Sequence, residues 1–241
     1  MLYWIARLRG SSPWFSLILL LGFGVLTFEL WIPRPQVFAY LSLVFLLFML
    51  EKCYRTGSSR FLYGAIGVVW IWANLHASFP LGIGILALYA FVVFLEGHTR
   101  DFSSGKPGLE TKHWWFAVGA SIVFSFLNPN TYHSFAYAAL IQEGVRQVGV
   151  LEWRSILTFW YESETKVFLA LLVSSGGFSF WWYGLRRESR DFRAVGLAGV
   201  AFLMPFIAVR HAGWWPFLMI PLVASALSVL LVRHLARISL R

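Results

Sequence analysis

Gln36–Leu50 reads QVFAYLSLVFLLFML, fifteen residues without a charge, closed on one side by Arg34-Pro35 and on the other by Glu51-Lys52. The run is continuously apolar rather than alternating, which favours a helix over a barrel strand. Seven further runs of the same kind accompany it: Trp14–Ile32, Phe61–Leu75, Leu81–Glu96, Trp114–Asn128, Val167–Leu185, Ala194–Val209 and Trp214–Val232. A helix crosses the hydrocarbon layer in about 20 residues. The shorter runs reach that length by taking in flanking Trp, Tyr or a snorkelling Arg. The expected fold is all-α: a polytopic transmembrane helix bundle of about eight spans, forming one transmembrane domain over residues 1–241. Spans one to five occupy 13–128, an outer-face interfacial segment 129–166, and spans six to eight 167–232. The alternative at Phe61–Leu75 with Leu81–Glu96 is a re-entrant pair.

Composition supports this reading. Of 241 residues, 59% are hydrophobic and 13% charged, whereas soluble domains are nearer half apolar and a quarter charged. Too little charge remains to cover a water-facing surface, which excludes a soluble globule and a disordered chain. The single cysteine, Cys53, excludes an intramolecular disulfide. The net charge of +9 comes from 20 Lys and Arg against 11 Asp and Glu. These basic residues sit in short blocks between apolar runs, the pattern of cytoplasmic loops and anionic headgroups rather than of nucleic-acid binding. No nucleic-acid partner is expected; membrane lipids are.

Charge also orients the chain. With the N-terminus in the cytoplasm, 15 basic residues fall inside and five outside, the latter being Arg34, Arg146, Arg154, Lys166 and Arg210. Both termini are then cytoplasmic, as is Cys53. The inner loops are expected at Glu51–Arg60, Gly97–His113 and Arg186–Arg193. Trp31, Trp70, Trp72, Trp214 and Trp215 mark outer ends of the spans. In the outer segment Pro129–Lys166, the spacing of Tyr132, Phe135, Ala136, Ala139, Leu140 and Glu143 predicts an amphipathic helix along the membrane surface.

Polar groups gather on the outer side. They are Arg34 in Pro33-Arg34-Pro35-Gln36, Asn74 and His76 after the third run, Asn128-Pro129 after the fifth, Glu152-Trp153-Arg154 in the long outer segment, and Arg210-His211 with Trp215 before the last run. Polar groups at membrane depth are costly unless hydrated or partnered, so their gathering implies a wet cavity opening outward. Each also has a structural reading. Arg34 and Arg210 could anchor to headgroups, Asn74 and Asn128 could cap helix ends, and His76 could be a hydrogen-bonded structural residue. Glu29, inside the first run, is expected either to pair with Arg34 or to snorkel.

The ordered set Arg34-Pro35-Gln36, Trp72-x-Asn74-x-His76-x-x-Phe79, Asn128-Pro129, Glu152-Trp153 and Arg210 resembles the C-terminal half of GT-C-type, glycosyltransferase-like bacterial polytopic membrane proteins, similar to the protein-mannosyltransferase class. The resemblance implies an inner-membrane enzyme that takes a sugar from a polyprenyl-phosphate donor at the outer face. Arg210 and Arg34 then bind the phosphate, for which a planar guanidinium is suited. His76 and His211 bond phosphate or sugar hydroxyls, Asn74 and Asn128 contact the sugar or the backbone, and Trp153 and Trp215 stack on the sugar. Glu152 is the candidate catalytic carboxylate. The resemblance leaves a divalent metal open as a cofactor. The sequence departs from the family in reading His76-Ala77-Ser78 for His-Gly-Gly and Asn128-Pro129-Asn130 for Asn-Pro-Tyr-Gly. It also begins after the family's first spans and their acidic outer loop, which implies a fragment or a second chain supplying those spans.

Two other classes stand beside this one. A transporter or lipid-handling protein would use the same cavity without bond chemistry, although few ionisable groups fall mid-span and no inverted repeat is visible. A metal-dependent hydrolase or accessory subunit would bring His76, His133, His211 and Glu152 around zinc, a weaker pattern than closely spaced ligands on one helix.

Overall fold

The computed structural model describes residues 1–26, 35–99, 109–137, 191–207 and 209–239, together with positions 140, 155, 176, 177 and 181. All regular structure among them is helical. The elements are α1 (Leu2–Leu8), α2 (Pro13–Leu26), α3 (Gln36–Thr56), α4 (Ser59–Leu75), α5 (Phe79–Thr99), α6 (Thr111–Ser125), α7 (Phe192–Ile207), a 3-10 turn (Val209–Trp214) and α8 (Trp215–Ser239). They fall into two compact units, one of residues 33–143 and the other of residues 1–32 with 144–241.

Three of these helices are long and apolar enough to cross a membrane: Gln36–Thr56, Phe79–Gly97 and Trp215–Val232. Pro13–Gly22 and Phe192–Ile207 are shorter apolar helices. The expected eight spans are therefore not reached among the described residues. Helix α4 has 17 residues and α6 has 15, about 25 and 22 Å at 1.5 Å per residue. They stop at the turns that begin with His76 and Phe126. Of Val167–Leu185, only positions 176, 177 and 181 are described. The helices nevertheless carry the mark of apolar surroundings. Helix α6 buries Trp114, Ala117, Val118, Ser121 and Ser125 on one face, yet its opposite face is as apolar, with Phe116 and Val123 more than 60% exposed. In water that outer face would be polar.

The unit of residues 33–143 is built from α3 to α6, with α3 against α4 and α6 against both α4 and α5. Helix α3 runs past the charged pair Glu51-Lys52, where the sequence had placed an inner loop, and ends only at Gly57. There a left-handed glycine (φ 66°) lets its N–H reach the Cys53 carbonyl at 2.8 Å. The helix tolerates Glu51, which is fully buried, because the Tyr89 hydroxyl donates to it at 2.8 Å and Arg55 lies 3.5 Å away. Tyr54 likewise donates to buried Glu96. Tyr89 in turn stacks on Trp114 of α6, ring centres 6.1 Å apart. These carboxylates are held by phenols on neighbouring helices, a requirement of burying charge.

Gly82 of α5 faces the Trp72 ring of α4. A Cβ there would lie 2.9 and 3.0 Å from ring carbons of Trp72. Trp72, near the end of α4, is wholly buried; the absent side chain at Gly82 is what leaves room for its indole. Gly82→Ala should cost about 1–3 kcal/mol through overpacking. Added to Trp72→Ala, it should cost almost nothing further, because the clash has gone. Equal penalties in both backgrounds, by thermal unfolding in detergent, would show that the Trp72 contact is not their source.

In the other unit, α1, α2 and α7 all pack on α8. Helix α1 was not expected: LYWIARL reads as a basic lead-in, yet Leu2, Ile5 and Ala6 are buried. Hydroxyls join the segments after it to α8. Ser11 and Ser228 lie 3.0 Å apart, the Ser12 N–H donates to Ser228 Oγ at 3.0 Å, and Ser228 donates to the Ala224 carbonyl at 2.8 Å. Such bonds between apolar helices average roughly 0.6 kcal/mol each.

Candidate functional site

Of the expected polar groups of residues 33–143, Asn74, His76 and Asn128 lie where α4 and α6 end. Helix α4 terminates as His76 turns extended. The His76 ring nitrogen Nδ1 lies 2.8 Å from Ser78 Oγ and accepts the Ser78 N–H at 3.1 Å. The buried Trp72 indole also donates to Ser78 Oγ, at 3.2 Å. The turn into α5 is thus organised around one hydroxyl, and Pro80 follows at the first turn, where a missing N–H is harmless.

Asn74 and Asn128 come together here. The Asn74 amide donates to the Trp70 carbonyl at 2.9 Å and reaches toward the Leu127 carbonyl at 3.5 Å, which also accepts the Trp70 indole at 3.0 Å. These side chains of α4 satisfy a carbonyl left open at the end of α6. Asn128, buried, donates to the Ser125 carbonyl, while its oxygen accepts the Asn130 N–H and the Ser134 hydroxyl, each at 2.8 Å. Its amide is engaged in shaping the chain. The turn it builds forces Thr131 to φ 47°, costly for a β-branched residue, and starts the helical stretch 133–137. Of the expected interfacial helix, Phe135 packs against Phe79 and Phe126 at 4.7 and 5.2 Å, while Tyr132 and Leu140 are exposed.

In the other unit, Arg210 and His211 lie on the 3-10 turn Val209–Trp214, and Trp215 opens α8. The turn follows directly on α7, whose last turn contains Pro205. Trp214 is buried and Trp215 only partly so. The buried indole N–H of Trp215 has no hydrogen-bond acceptor among the described residues. A buried donor without a partner costs about 1–3 kcal/mol. Arg34, Glu29, Glu152 and Trp153 lie outside the described residues. Among the described residues no three His, Cys, Asp or Glu side chains are grouped to hold a metal ion.

One charged cluster escaped the sequence reading. Asp191 caps the start of α7, its Oδ1 accepting the Ala194 N–H at 3.2 Å. It pairs with Arg9 at 3.2 Å and Arg193 at 3.1 Å, and those two side chains are 2% and 7% exposed. Burial pushes the Asp191 carboxyl up. The Arg9 and Arg193 charges and the Ala194 N–H outweigh it, and the group titrates below the usual aspartate range. The signal in the sequence was one of two acids, Glu188 and Asp191, in a basic stretch, and its partner Arg9 is 182 positions away.

No protein family matches the chain, and neither a curated protein nor a solved structure is similar to it.

Proposed function

We propose that this integral membrane protein binds a polyprenyl-phosphate-linked sugar at the outer membrane face and acts as a glycosyltransferase of the GT-C-like kind. The reading places both termini in the cytoplasm of a bacterial inner membrane and completes a bundle of about eight apolar runs. The single observation that carries it is the buried indole N–H of Trp215, without an acceptor among the described residues, at the end of the turn whose chain bears Arg210 and His211. An arginine, an imidazole and a buried donor at the start of a 25-residue helix suit a phosphate, because the N-terminal end of the helix dipole favours an anion.

In the proposed reaction Glu152 takes the proton from an acceptor hydroxyl. That oxygen attacks the anomeric carbon, and the bond from this carbon to the donor phosphate breaks. The lipid phosphate leaves with the bonding electrons, and Arg210 holds the charge that develops on it.

Arg210→Ala should weaken binding of a polyprenyl-phosphate sugar to the purified protein by about 30-fold or more, since truncating one side of a charge-assisted contact costs 2 kcal/mol or more. Membrane insertion and unfolding temperature should stay near the parent's. Unchanged affinity would remove the phosphate role. Binding without sugar transfer, together with lipid or solute movement in vesicles, would favour a lipid-handling protein.

A further inference from the structure

We draw no further inference here: the strongest candidate, the buried carboxyl–phenol cluster of Glu51, Glu96, Tyr89 and Tyr54 between α3 and α5, is an acidic cluster held by its own phenols, and no second feature of the fold beside it points to a ligand.

Discussion

Asp191→Ala is expected to destabilise the protein by about 3–5 kcal/mol, a large part of the 5–15 kcal/mol that holds most domains folded. Three losses coincide. Arg9 and Arg193, both nearly inaccessible, lose their shared carboxylate, and the Ala194 N–H at the start of α7 loses its cap. For a chain of this size the effect reads as a fall in unfolding temperature of about 10 °C. Asp191→Asn should cost less, because an amide oxygen still caps the helix while the ion pairs go. The pH dependence follows from the lowered pKa. The unfolded aspartate titrates near 3.9, so the stabilisation from Asp191 is complete above that pH and is lost as pH falls through the lower folded value. The gap between parent and Asp191→Asn should therefore stay constant above about pH 5 and narrow only below about pH 4. A gap already closing at pH 6 would mean that the carboxylate is not held by these arginines.

Trp72→Ala is expected to cost about 3–5 kcal/mol, the range for emptying a buried tryptophan site. The indole fills the space over Gly82. Its N–H also fixes Ser78, the hydroxyl on which His76 turns. The variant should accordingly show a loosened α4–α5 turn, seen as faster amide exchange at Ser78 and Phe79, as well as a lower unfolding temperature. Trp72→Phe, which refills most of the volume but lacks the N–H, separates the two roles. It should recover most of the stability and little of the exchange protection. Full recovery of both would show that the hydrogen bond does not order the turn.

The helical character of the chain was legible where one local signal sufficed. Gln36–Leu50 could only be a continuous apolar helix, and α3 covers it. Its end was misread at Glu51, because a charge in sequence looks like a loop until Tyr89 and Arg55 are known to meet it. Helix α1 was illegible for a related reason. Seven residues bearing Arg7 make no convincing helix alone, and burial of Leu2 and Ile5 against α8 supplies what the segment lacks. Trp72 and Asn128 show a third kind of limit. An aromatic at a helix end reads equally as interfacial belt or as core, and an asparagine after a helix as cap or as ligand. Gly82 and Ser134 decide what these two side chains touch, and neither neighbour is marked in the sequence. Asp191 shows the fourth, since long-range ion pairs leave no periodicity.

Single cysteines in a Cys53→Ala background test the membrane account most directly. Cys53 itself is buried and free, so it cannot serve as the reporter. Asn130→Cys lies in the turn after α6, Gly213→Cys in the turn bearing Arg210 and His211, and Arg60→Cys near the start of α4; positions 130 and 60 are exposed. A membrane-impermeant thiol reagent applied to intact cells should label positions 130 and 213 and leave position 60 untouched until the membrane is opened. Labelling of position 60 from outside, or protection of position 213, would contradict an outward-facing phosphate site.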